Sequence, residues 1–220
     1  MQFTTIQMIS IYILPVIFAI TIHEAAHGYM AYLLGDKTAL ILGRLTLNPI
    51  KHIDIIGTII VPLVLLLLGG ITLGWAKPIP IDPHNLSNRK GDLMLISIAG
   101  PVANFIMTII WASIAKIAII LLANNFPGAL AIGMMGIAGI SINLMLMVLN
   151  LLPIPQLDGG YIISSLLPRC ISVQYDKLVP YGLYIVLILL MLGLISFIVQ
   201  PIIKFLYNII IIVFKLSLLV

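Results

Sequence analysis

Charge is what this sequence has least of. Only 8% of its 220 residues are Asp, Glu, Lys or Arg, whereas 62% are hydrophobic and the mean hydropathy is +1.24. Soluble domains carry roughly 25% charged residues, so an ordinary soluble fold is excluded and the chain reads as a polytopic membrane protein set in a lipid bilayer. A single cysteine, Cys170, excludes an internal disulfide framework and a thiolate metal cluster, and reads as a small apolar residue near an interface. Glutamate occurs once, at Glu24. The 11 Lys and Arg against 7 Asp and Glu could suggest nucleic acid in a soluble protein, but here they lie scattered between apolar runs. They read as topology signals, and no nucleic-acid partner is expected. A positive n-region is also missing, and the first apolar run continues to residue 34, so a cleaved signal peptide is not expected.

Six apolar runs have spanning length, at residues 5–34, 53–68, 93–122, 129–152, 183–199 and 202–220. With no internal repeat or low-complexity linker between them, the expected architecture is a single domain over residues 1–220. Its class is all-α polytopic membrane protein, with about five to six transmembrane helices.

Inside the first run stands Ile22-His23-Glu24-Ala25-Ala26-His27-Gly28. On a helix His23 and His27 share one face, the spacing that lets two imidazoles bind one Zn²⁺, and Glu24 beside them can take a proton from a water at the metal. Two surface histidines with a salt-bridged Glu would be the bland reading in a soluble helix. In apolar flanks it is poor, because ionisable groups at membrane depth are costly and mark function.

Topology and chemistry constrain each other. If every run crossed once, nothing beyond residue 152 could reach His23 and His27. Lys37, Arg44 and Lys51 precede the second run while Lys77, Arg89 and Lys90 follow it, and both groups favour the cytoplasmic side. The second run is therefore expected to enter, bend near Pro62 and Gly69-Gly70, and return through residues 74–83. Irregular backbone at depth is tolerated only where it is covered or lines a cavity, so this limb should line the site. Residues 35–52, 74–92 and 153–182 then face the cytoplasm and 123–128 face out; the alternative is a full crossing with charge on both faces.

A catalytic zinc site needs a third protein ligand, and no second Glu exists to provide it. Asp36, Asp82, Asp92 and Asp176 read as solvated loop charges, His52 and Asp54 open the second run, and His84 lies in a polar loop. Asp158 differs, because it follows a long apolar helix in the stretch from Asn150 to Gly160, where prolines break the helix and Gly159-Gly160 permits close backbone approach. Its alternative role is to cap the helix starting at Tyr161.

His23-Glu-Ala-Ala-His27, Gly100-Pro-Val-Ala-Asn104 and the stretch from Asn150 to Gly160, in that order, resemble the site-2 protease family of intramembrane zinc metalloproteases. The segment Gly74-Trp-Ala-Lys-Pro-Ile-Pro is similar to its small prokaryotic members without a PDZ domain. The resemblance covers most of residues 15–165 and implies a catalytic core at about 5–165, with additional C-terminal helices at about 180–220. It implies Zn²⁺ as cofactor, His23, His27 and Asp158 as ligands, Glu24 as catalytic base and a polar role at the site for Asn150. Gly100-Pro101 and Asn104 read first as a helix start and close packing. The implied activity is hydrolysis of a peptide bond within or beside the transmembrane segment of another protein, in a prokaryotic cell membrane with the site toward the cytoplasm. A metal-binding transporter and a catalytically dead homologue are the other readings; the first would need repeated halves, which are absent.

Two alternating prolines, Pro78 and Pro80, forbid a helix and favour an extended chain. Lys77, Ile79 and Ile81 then keep their N–H groups on one edge, which is expected to pair with an unwound substrate; the alternative is a proline-stiffened loop.

Overall fold

The computed structural model describes residues 4–60 and 76–219, and among these every regular element is helical. Helix α1 (Thr5–Leu33) starts at a reciprocal cap, in which Gln7 N–H donates to Thr4 Oγ1 and Thr4 N–H donates to Gln7 Oε1. A short helix α2 (Thr38–Ile41) and turns at Pro49–His52 and Ile55–Ile60 follow. Residues 76–82 are extended, a turn at Pro83–Asn85 leads into α3 (Arg89–Ala123), and α3 is followed by α4 (Ala129–Asn150), α5 (Asp158–Leu166), α6 (Arg169–Asp176), α7 (Gly182–Met191) and α8 (Leu194–Phe214). Among the described residues, five stretches are long and apolar enough to cross a membrane: Ile6–Leu33, Arg89–Ala123, Ala129–Asn150, Arg169–Met191 and Leu194–Phe214. The chain is an all-α polytopic membrane protein.

Small residues hold the core helices together. A Cβ on Gly136 of α4 would stand 2.7 Å from Ala115 Cβ of α3, and one on Gly139 would stand 2.3 Å from the Trp111 ring. Ala112, Ala115 and Ala118 are fully buried on the facing side. Lipid tails are as apolar as leucine, so close backbone approach is what favours helix pairing in a bilayer. α8 runs back along α4: Ile195 and Val199 cluster with Val148 and Ile154, whereas Ile210 clusters with Ile140 and Leu144.

The C-terminal runs are partitioned differently from the sequence expectation. Residues 183–199 do not form one span, because Gly193 takes φ +72° and ends α7 there. Glycine adopts that left-handed conformation without a Cβ penalty, so it stops a helix more firmly than Pro201, which lies inside α8. The expected bends at Pro62 and Gly69-Gly70 fall outside the described residues, but the flanks of that segment meet: Lys77 N–H donates to the His52 carbonyl at 2.9 Å. A full crossing would have put about 30 Å of hydrocarbon between them. The antiparallel α3–α4 pair brings the start of α3 and the end of α4 to one end of the bundle, where α1 also ends.

Candidate metal centre

His23 and His27 lie buried on one face of α1, near its C-terminal end. Their Nε2 atoms are 3.0 Å apart, and Asp158 completes a triangle with Oδ2 3.4 Å from His23 Nε2 and Oδ1 3.4 Å from His27 Nε2. Hydrogen bonding decides the tautomers. The Ile96 carbonyl can only accept, so His27 Nδ1, 2.7 Å away, carries the proton. Asn104 uses its amide hydrogens on the Ala19 carbonyl and Asn143 Oδ1, so its Oδ1 accepts from His23 Nδ1–H at 2.6 Å. In the neutral rings both Nε2 atoms are then lone pairs that point at each other and at a carboxylate. Asp158 Oδ2 is buried without a hydrogen-bond partner.

Such a cluster is repulsive unless a cation shares it. Zn–N and Zn–O bonds of about 2.0–2.1 Å in a tetrahedron set ligand atoms about 3.3 Å apart, and the separations here, 3.0 Å between the imidazoles and 3.4 Å from each to a different oxygen of Asp158, are close to that. Among the described residues, these three form the group of His, Cys, Asp and Glu side chains able to hold a metal ion.

Two devices bring the donors together. The chain after Asn150 turns tightly over the start of α5, where a Cβ on Gly159 or Gly160 would lie 2.3 Å from the Leu152 or Ile154 carbonyl oxygen. Asp158 is the first residue of α5, and the N-cap is Leu157 without a side-chain cap bond, so the capping role expected as its alternative is not the one adopted. The second device is Gly100, where a Cβ would stand 2.4 Å from His27 Nε2 and 2.6 Å from His23 Cε1. Gly100 and Pro101 lie well inside α3 rather than at a helix start, and glycine lets that backbone rest on both imidazoles.

Glu24 lies outside the donor triangle. Its Oε2 accepts from Ile79 N–H at 3.1 Å, so the extended stretch 76–82 passes directly over it. Arg44 Nη2 donates to the Lys77 carbonyl at 3.0 Å, and Asp82 N–H donates to Asp36 Oδ2 at 2.8 Å. The donor edge expected to await a substrate is therefore occupied at two of its three positions, since Lys77 N–H serves His52 and Ile79 N–H serves Glu24. A cavity of about 1520 Å³ includes His23, Glu24, His27, Ile79, Ile81, Asn150 and Asp158 in its wall. The Asn150 amide donates to the Leu146 carbonyl at 3.0 Å.

The profile of peptidase family M50 matches residues 117–194, a stretch that includes Asp158. "Putative zinc metalloprotease YwhC" of Bacillus subtilis is 38% identical over 86% of this chain and 84% of its own length. The chain belongs to peptidase family M50. "Putative zinc metalloprotease Rip2" of Mycolicibacterium smegmatis is 29% identical over 78% of this chain and 63% of its own length, and its namesake in Mycobacterium tuberculosis is 30% identical over 64% and 51%. No solved structure matches.

Against this M50 frame, two groups that sequence reasoning placed elsewhere acquire positions. Asp36 and Asp92, expected as solvated charges, are buried. Asp36 accepts from Thr38, Asp82 and Asn85, and Asp92 accepts from Asn88 N–H at the start of α3. His52 is buried away from the cluster, with Nε2 2.8 Å from the Thr46 carbonyl, and His84 sits exposed in its turn. Asn104 and Asn143 were the site residues missed or undervalued; the available signal was an amide inside each of two apolar runs, where an unpaired polar group is costly, and both prove fully buried.

Proposed function

We propose that this M50 protein is an intramembrane zinc endopeptidase that hydrolyses a peptide bond within or next to a transmembrane segment of another protein. The observation that carries the reading is a carboxylate, Glu24, set beside a three-donor cluster but not part of it, with both facing one large cavity. A transport site has no evident use for such an additional, separately held carboxylate.

In this reading His23 Nε2, His27 Nε2 and Asp158 would hold the zinc. Bound there, Zn²⁺ supplies a Lewis acid that polarises the scissile carbonyl and makes water a nucleophile near neutral pH. Glu24 takes the proton from the attacking water and returns it to the leaving amine. Asn104 and the Ile96 carbonyl keep the two imidazoles in the ligand tautomer. Asn150 lies on the cavity wall, where its amide can turn from Leu146 toward the substrate carbonyl. The substrate must unwind locally, since a helical amide is hydrogen-bonded and covered. Its extended form would lie against residues 76–82, with Ile81 and, on exchange of their present acceptors, Lys77 and Ile79 as main-chain donors.

Lys37, Arg44, Lys51, Lys77, Arg89, Lys90, Arg169 and Lys177 belong to the segments at the site end of the bundle, whereas Lys116, Lys204 and Lys215 do not. That bias supports a cytoplasmic orientation in a prokaryotic cell membrane.

Purified wild type and Glu24→Gln, given a synthetic membrane peptide, test the reading. Glu24→Gln should retain zinc while cleavage falls by roughly 10²–10⁴-fold. Equal loss of zinc and activity would make Glu24 a ligand, and near-normal cleavage would remove it from the mechanism.

A further inference from the structure

α8 carries polar side chains four residues apart at Gln200, Lys204 and Asn208, which therefore line one stripe of the helix. All three are exposed, and none makes a hydrogen bond or ion pair with a described residue. The helix buries a different side, through Ile195, Val199 and Ile210.

The stripe lies deep. Lys204 is ten residues from either end of this 21-residue helix, about 15 Å along its axis. Nor does α8 rest in the interface plane, because its two ends pack along α4, Val199 with Val148 and Ile210 with Ile140. A lysine stem of four methylenes is too short to carry the ammonium from there to either headgroup layer. Ionisable residues at such depth almost always face a bundle interior and pair with another group. Lys204 faces outward, so the bundle that would satisfy it is larger than this chain.

The chain has no counter-charge to offer, in itself or in a second copy. Its seven acidic residues are Glu24, Asp36, Asp54, Asp82, Asp92, Asp158 and Asp176, and all belong to the metal centre or to the segments at the site end. Residues 61–75 contain no acid. No residue of α8 lines the catalytic cavity, so this face is separate from the place where substrate is cut.

We propose that the Gln200–Lys204–Asn208 face of α8 docks a transmembrane helix of a different protein, one that carries an Asp or Glu at mid-membrane depth. The carboxylate pairs with Lys204, while the two amides bond to the same helix one turn above and below. Oriented pairing of this kind gives both affinity and register in a medium where apolar contact alone discriminates poorly.

The exposed Cys170 allows the full-length protein to carry a fluorescent donor. Energy transfer to an acceptor-labelled Leu/Ala transmembrane peptide is measured in phosphatidylcholine vesicles, the peptide bearing either a central Asp or a central Leu. With wild type and with Lys204→Arg, the Asp peptide should associate about tenfold more tightly than the Leu peptide. Lys204→Leu should abolish that preference while zinc content stays normal, showing that the fold is intact. Equal binding of the two peptides by wild type, or a preference unchanged in Lys204→Leu, overturns the proposal. So does efficient disulfide cross-linking between copies through Asn208→Cys in a Cys170→Ser background, which would make a second copy the occupant.

Discussion

Ile79 N–H stands 3.1 Å from Glu24 Oε2, across 55 residues of sequence, and ties the extended stretch to the carboxylate beside the metal centre. A hydrogen bond to an ionised carboxylate is among the stronger kinds and fixes the direction of the acceptor. Pro78 and Pro80 flank Ile79 and have no N–H, so the donor at this point is unambiguous.

Ile79→Pro deletes that donor. Turnover should fall by about 10–100-fold, the equivalent of ~1.5–3 kcal/mol, with KM raised as well because the same N–H is offered to the substrate, and with zinc content near wild type. Ile79→Ala keeps the N–H and should be milder. A raised KM with unchanged kcat would leave this N–H to the substrate alone and remove its part in holding Glu24.

Asp158→Ala should empty the site. Metal per protein, measured after exhaustive dialysis, should drop far more than in His52→Ala, because His52 lies apart from the cluster and holds the Thr46 carbonyl. If His52→Ala is the variant that loses zinc, the ligand assignment is wrong.

Asn104 acts on His23 through a 2.6 Å hydrogen bond and is itself held by Asn143 at 2.9 Å. Asn104→Ala should weaken zinc binding by about 10–100-fold, the usual cost of losing a group that orients a metal-bound histidine. Asn143→Ala, one bond further away, should cost less. Competition with a chelator reads both without reference to activity, and an unchanged affinity in Asn104→Ala would reduce the contact to packing.

Asp36 should make stability depend on acid pH. Burial pushes its carboxyl up, but the hydroxyl of Thr38, the amide of Asn85 and the N–H groups of Asp82 and Thr38 outweigh it and hold the group below the usual carboxylate range. A depressed folded value means the stabilisation is present above the unfolded pKa of about 3.9 and is lost as pH falls through the folded one. Wild type should therefore exceed Asp36→Asn in Tm at pH about 6, and the gap should close as the pH falls through the lowered folded pKa. A gap that does not change with pH would show that the charge of Asp36 is irrelevant to the anchor.

What could be read without coordinates was what backbone geometry makes local. His23 and His27 share a face because any helix puts residues four apart together, and spanning length follows from a run of apolar residues. Asp158 was legible as a candidate for a similar reason: prolines and paired glycines after an apolar helix mark a forced turn whatever surrounds it. A return of the second run was expected from the cost of placing lysines on the wrong side of a bilayer and from the need for residues beyond 152 to reach the histidines, and the hydrogen bond from Lys77 N–H to the His52 carbonyl agrees with it.

Tertiary structure decided which distant groups meet. Nothing in a pattern of residues says that Gly100 rests on two imidazoles, that Asn104 selects the tautomer of His23 from 81 residues away, or that Ile79 donates to Glu24. These depend on the rotation and depth of α1, α3 and α4 relative to one another, which are set by where small residues let backbones approach. Asp36 shows the same limit from the other side. A carboxylate between a glycine and a lysine reads as solvated, and although Thr38 supplies local donors, the return of residues 82–85 over the end of α1 adds the distant ones that let it be buried.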